Sequence, residues 1–99
     1  MVEHIVLFKL KPDATQEQRD ELVSVLKRLK ENVPGILELT AGVNFNTERG
    51  KGYSVALNVR FPDRAALEAY GPHPAHQEVV EKYVLPLCED IVVADYEVA

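Results

Sequence analysis

Tryptophan is absent from the 99 residues, and cysteine and methionine occur once each. A single cysteine, Cys88, excludes an intrachain disulfide and any zinc site built from cysteines. Positive charge is scarce as well. Eleven Lys and Arg stand against 16 Asp and Glu, a formal net charge of -5. Lys27, Lys30, Lys51 and Lys82 are scattered among acids, so no basic patch attracts a phosphate backbone or an anionic membrane. No nucleic-acid and no membrane partner is expected. Long apolar runs are missing too. Residues 1–10 are apolar, but Glu3 and His4 interrupt them and no basic stretch precedes them. They read neither as a secretory signal nor as a span of about 20 apolar residues. A reducing, cytoplasmic setting is the expectation.

What is present is ordinary for a globular chain: 46% hydrophobic and 27% charged residues. The length fits one domain over residues 1–99. A chain of this size buries only about two-thirds of its unfolded surface. A second copy would enlarge that modest core.

Val2 to Leu10 alternates, with His4, Val6, Phe8 and Leu10 on one face and Ile5 and Leu7 on the other. Apolar residues on both faces predict a central strand covered on both sides. Thr15 with Gln18 forms a capping box, and Leu22, Val25, Leu26, Leu29 and Val33 repeat at helical spacing. Asn32, Pro34 and Gly35 end that helix. Ile36 to Phe45 predicts a strand with Leu37, Leu39, Ala41, Val43 and Phe45 on one face. The polar stretch 46–52 then turns the chain back into a strand from Tyr53 to Phe61. Tyr53, Val55, Leu57, Val59 and Phe61 share its inner face.

Asp63 caps a short helix to Tyr70, which Gly71 and Pro72 end. Pro74 opens another helix with His73 as its N-cap. Val79, Val80, Tyr83, Val84 and Leu87 form its buried stripe, Pro86 lies in its last turn, and Ile91 to Val98 is the final strand. The order β-α-β-β-α-β predicts an α+β fold, a ferredoxin-like βαββαβ sandwich. Its antiparallel sheet carries the helices on one face. The other face, with Ile5 and Leu7, calls for a second copy of the same sheet, which predicts a twofold homodimer.

Residues able to move protons gather between Tyr70 and Tyr83. This stretch holds two of the three histidines and two of the four tyrosines. His76 falls in a first helical turn and in phase with Val80, Tyr83 and Leu87. Burial and the helix dipole both disfavour an imidazolium there, and a neutral imidazole is what a general base requires. The competing expectation is a core histidine bonded to a carbonyl or to Tyr70. Tyr70 can donate to a carbonyl oxygen or simply pack with a wet tip. His4, on an apolar face, needs a polar partner across the fold, a pocket, or solvent at the strand end. His73 caps its own helix. A zinc site from His73, His76 and His4 lacks the spacing and the carboxylates of known patterns, so no metal is expected.

The opening strand, the segment Gly52–Leu57, the segment Tyr70–His76 and the close Asp90–Tyr96 together resemble the stress-responsive dimeric α/β-barrel (Dabb) family. The resemblance covers essentially the whole chain. It implies a ferredoxin-like protomer and a homodimer. Polyketide-cyclising members close a linear poly-β-keto thioester by aldol condensation without metal or organic cofactor. Their catalytic histidine and tyrosine fall on His76 and Tyr70, and a further pocket histidine falls on His4. Another falls where this chain has Val55. Aromatic pocket positions on their first helix fall around Leu22, Val23 and Leu26, which are aliphatic here. With Leu57 and His73, these residues make the candidate lining for a small apolar carbonyl or aromatic ligand. The resemblance implies an enzyme that removes a proton next to a carbonyl with no cofactor. It equally accommodates a non-catalytic stress-responsive ligand-binding or assembly protein, and a cofactorless monooxygenase of the same fold.

Overall fold

Alternation along strand β1 (Val2–Leu10) separates two layers in the computed structural model, which describes residues 1–98. His4, Val6 and Phe8 point to the helices, and Val6 and Phe8 are buried. Helix α1 (Gln16–Asn32) follows, then β2 (Glu38–Val43) and β3 (Tyr53–Phe61). Helix α2 (Arg64–Tyr70) leads into α3 (Pro74–Val79). A π-helical turn (Val80–Val84) and the short α4 (Leu85–Leu87) lead on to β4 (Cys88–Glu97). The four strands form one antiparallel sheet in the order β2-β3-β1-β4. This is the ferredoxin-like α+β arrangement that the element order predicts.

The capping box is formed: the Gln18 N–H donates to Thr15 Oγ1 at 3.1 Å and the Thr15 N–H to Gln18 Oε1 at 2.9 Å. Leu22, Val25, Leu26 and Leu29 then lie buried along one helix face. That face meets Val55, Leu57, Val59 and Phe61 of β3 in the core. Asp63 accepts from the Ala66 N–H at 2.9 Å and starts α2. His73 caps α3, its Nδ1 accepting from the Ala75 N–H at 3.1 Å.

Four expectations are corrected. First, β2 stops at Val43, and Phe45 is 94% exposed beyond it. After one further backbone bond, from the Asn44 N–H to the Ser54 carbonyl at 2.8 Å, asparagine side chains take over. Asn44 donates to the Tyr53 carbonyl at 2.8 Å, and Asn46 accepts from the Arg49 N–H at 3.0 Å. Second, Tyr53 leaves the inner face. A register shift between Phe8 and Lys9 turns Tyr53 to the Lys9 side, where its hydroxyl donates to Asp90. Third, the helix after Pro74 is not uniform. Pro86 has no N–H to offer, and the Leu85 N–H reaches back five residues to the Val80 carbonyl. The expected stripe still faces inward: Val84 is buried, and Val79, Tyr83 and Leu87 are half-buried against the core, while Glu81, Lys82 and Leu85 are exposed. Fourth, β4 begins at Cys88, three residues early, with Cys88 paired to Leu10.

The face of the sheet away from the helices has no covering layer among the described residues. Ile5 and Leu7 lie on it between Asn58 and Ala56 of β3 and Ala94 and Val92 of β4. Val92 is 45% exposed and Tyr96 52%. One end of this face is polar: Arg60 donates to the buried carboxylate of Glu3 at 2.5 Å. No helix of the described residues is long and apolar enough to cross a membrane.

Candidate active site

The sheet and the helices do not close on each other everywhere. Between β1, β4, α1 and the π-helical turn they leave a cavity of about 270 Å³. Val6, Phe8, Leu26, Leu29, Leu57 and Leu67 contribute to its apolar wall, and His4, Tyr70 and His76 supply its polar groups. Val80 and Val84 of the π-helical turn line it.

The three polar rings stand in a row. Tyr70 is 4.3 Å from His76 and 5.7 Å from His4, centroid to centroid. Phe61 supports the row from the core side, 5.2 Å from Tyr70 and 6.4 Å from His4. Tyr70 is buried at the end of α2. Its hydroxyl has no hydrogen-bond partner among the described residues, yet no sealed polar side-chain atom there lacks one. The hydroxyl therefore opens on the cavity. Burial pushes its pKa well above the ordinary tyrosine value. It stays a phenol and remains a hydrogen-bond donor at neutral pH.

His76 is anchored by the chain break that precedes its helix. Its Nδ1 lies 2.9 Å from the Gly71 carbonyl. A carbonyl only accepts, so Nδ1 carries the proton and Nε2 keeps its lone pair. Burial is the main cause that lowers its pKa. The neighbouring His4 and His73 rings act in the same direction, and the Gly71 carbonyl opposes them. The imidazole is neutral at pH 7, as a base must be. His4 bonds through Nδ1 to Asp95 at 2.5 Å, across the β1–β4 ladder. The carboxylate also only accepts, so His4 too presents Nε2 as its basic nitrogen.

A base and a donor beside each other in an apolar space can remove a proton next to a carbonyl and hold the oxygen that gains charge. Low polarity around them strengthens each such interaction. The cavity lies near the lower end of the roughly 300–1,000 Å³ typical of ligand pockets.

Of the residues singled out from the sequence, His4, Leu26, Leu57, Tyr70 and His76 line the cavity. Leu22, Val23, Val55 and His73 do not. Leu22 and Val55 are fully buried at the closed end of the core, where Val55 pairs with Phe8. Val23 sits off the inner stripe of α1, and the ring of His73 is engaged with its own helix. Ile91, Val93 and Leu85 also line the cavity, and Asp95 braces His4; spacing along the chain did not single them out. Ile91, Val93 and Asp95 alternate on β4. Only the pairing of Phe8, Val6 and His4 with these three assigns them to the cavity side. Among the described residues, no three or more His, Cys, Asp or Glu cluster as metal ligands. Burial pushes the Cys88 thiol up to about 11, so it stays protonated and is a poor nucleophile at neutral pH.

Known proteins share this fold and part of this sequence. The model of the Stress responsive A/B Barrel Domain matches residues 2–98. Two Arabidopsis thaliana proteins named as containing a stress-response A/B barrel domain are similar. The first is 41% identical over 69% of this chain and 26% of its own length. The second is 30% identical over 95% of this chain and 42% of its own length. The chain thus spans less than half the length of either. Olivetolic acid cyclase of Cannabis sativa is 26% identical over 96% of this chain and 94% of its own. Among solved structures, the hydroxynitrile lyase of Passiflora edulis has a TM-score of 0.86 at 26% identity, covering 99% of this chain and 93% of that one. A dimeric ferredoxin-like protein of unknown function from Jannaschia has a TM-score of 0.80 at 28% identity, covering 98% of each. With its fold, its cavity and a family model matched from residue 2 to residue 98, the chain belongs to the stress responsive A/B barrel domain family.

Proposed function

We propose that this domain is a cofactor-independent proton-transfer catalyst for a small, neutral carbonyl compound of polyketide or aromatic type. His76 takes a proton from the carbon next to the carbonyl. Tyr70 donates to the oxygen as it becomes an enolate. His4 lies across the same space and helps to orient the substrate. One observation carries the reading: the His76 imidazole and a phenol with no partner among the described residues meet ring to ring, 4.3 Å apart, at an apolar cavity. Relatives named as a cyclase and as a lyase support it. Among the described residues no Lys or Arg lines the cavity, which favours neutral ligands over carboxylates.

A thermal-shift screen with β-keto thioesters and small aromatic ketones tests ligand class, with aromatic carboxylates as the contrast. A neutral carbonyl compound at about one hundred times its Kd is expected to stabilise the protein by about 2.7 kcal/mol. Equal stabilisation by the carboxylates, or none by any neutral carbonyl, counts against the reading.

The domain acts as a homodimer in this proposal, with the uncovered sheet face as its interface. Solved structures of the same fold are described as dimeric, at 27% and 28% identity. Sedimentation at micromolar concentration is expected to give twice the 11.1 kDa chain mass. Leu7→Lys, on the uncovered face, is expected to give the monomer. A wild-type protein that sediments at the mass of one chain would refute the dimer. The cavity volume weighs against pure assembly, which would leave this space without a use.

A further inference from the structure

The chemistry above gives His76 and Tyr70 their tasks but leaves the His4–Asp95 pair unexplained. Asp95 is 43% exposed at its side chain, whereas His4 is 12% exposed. The two residues are direct cross-strand partners, so the β1–β4 ladder fixes their separation. The ladder is secured just beyond them, where the Val98 N–H donates to the Met1 carbonyl at 2.8 Å. Asp95 has no Lys or Arg partner among the described residues; the nearby Arg64 pairs with Glu97 instead. Its carboxylate is thus directed at one imidazole nitrogen, Nδ1 of His4, at 2.5 Å. His4 itself lines the cavity, and with Nδ1 taken by Asp95, Nε2 is the ring nitrogen left to serve it.

We propose that Asp95 is the positioning residue for a second proton acceptor in the cavity. It holds His4 in the Nδ1–H tautomer and turns Nε2 inward, ready to take or return a proton. Asp95 itself touches no ligand; it acts through His4, as a carboxylate behind a histidine commonly does. The role of His4 in turnover rests on the proton-transfer reading above, whereas its tautomer does not.

Nitrogen-15 NMR of the three histidines reads the tautomer without any substrate. The measurement is made about two units above the ordinary imidazole pKa of 6.5. His73 and His76 serve as internal references. His73 accepts at Nδ1 and so carries its proton on Nε2, while His76 donates from Nδ1. Wild-type His4 is expected to match His76. In Asp95→Ala the Nδ1–H signature of His4 is expected to be lost, with those of His73 and His76 unchanged, which also establishes that the variant is folded. An Nε2–H tautomer in the wild type overturns the proposal by itself, whatever the variant does. So does an unaltered His4 signal in folded Asp95→Ala.

The second measurement is deuterium exchange at the carbon next to the carbonyl of the ketone that the screen identifies. Asp95→Ala is expected to slow it on the order of 10–100-fold, by analogy with the loss of the partner behind a metal-bound histidine. A changed tautomer with unchanged exchange overturns the role of Asp95 and leaves His76 and Tyr70 standing. Unchanged exchange in His76→Ala strikes the proposed function instead.

Discussion

His76→Ala is expected to slow proton exchange next to the carbonyl of a bound ketone by about 10²–10⁴-fold, the usual contribution of a positioned base. Tyr70→Phe removes only a hydroxyl and is expected to cost about 10²–10³-fold, the scale of one lost donor to a developing oxyanion. Both losses should fall on kcat more than on KM. The base and the donor act most strongly where charge develops, and the apolar walls supply the binding. Deuterium incorporation followed by NMR measures both, with wild type and variants at saturating ketone. The pH profile gives an independent check. A base must be unprotonated, and burial lowers the pKa of His76. The rate should therefore be flat at neutral pH and fall only as pH drops below the ordinary imidazole value of about 6.5. The phenol must stay protonated, and burial raises its pKa. Any alkaline loss due to Tyr70 should lie above the ordinary value of about 10. An acid limb centred at or above pH 6.5 in wild type, or equal rates in His76→Ala, would remove His76 as the base.

The second large effect is on stability. Phe61 is fully buried at the end of β3, where it contacts both Tyr70 and His4 edge-on. Phe61→Ala is expected to destabilise the fold by about 3–5 kcal/mol, from lost transfer energy and the cavity left behind. In a domain of about 100 residues each kcal/mol moves Tm by about 4–8 °C. Calorimetry at a fixed protein concentration reads the shift, since a dimer's Tm depends on concentration. Phe61→Leu keeps most of the apolar volume but loses the aromatic edge contacts, worth about 0.5–1.5 kcal/mol each. It should fold, with a modest loss in Tm, and it should slow exchange because Tyr70 loses its support. A fall in Tm of less than a few degrees in Phe61→Ala would mean that the row of rings does not depend on Phe61.

Much of this molecule is legible one element at a time. Alternation in β1, the Thr15–Gln18 box, the Asp63 and His73 caps and the helix start at Pro74 are local properties of adjacent residues. Each is present in the fold. The errors arise where a local pattern competes with something outside it. Phe45 continues the parity of β2, but asparagine hydrogen bonds in the turn end the strand first. Tyr53 continues the parity of β3, but a shift in its pairing with β1 reverses its side. Val79 to Leu87 keeps its inward stripe, but Pro86, which has no N–H, and the π-helical turn before it interrupt the regular helix.

The candidate site divides in the same way. Its polar residues stand out because His4, Tyr70 and His76 are chemically unusual where they occur, on an apolar strand and around a chain break. Most of its wall does not stand out, since one aliphatic residue looks like another until strands are paired. The family resemblance assigns Leu22, Val23 and Val55 to that wall, yet they lie outside it.

By itself the sequence determined the elements, their order, the family and the three polar side chains, because these follow from neighbours along the chain and from residue chemistry. The tertiary structure alone decided which residues share a cavity. It brought Asp95 to His4 across 91 positions, and it turned burial into a neutral base beside a protonated phenol. Register and desolvation are properties of packed pairs distant in sequence, and no local pattern encodes them.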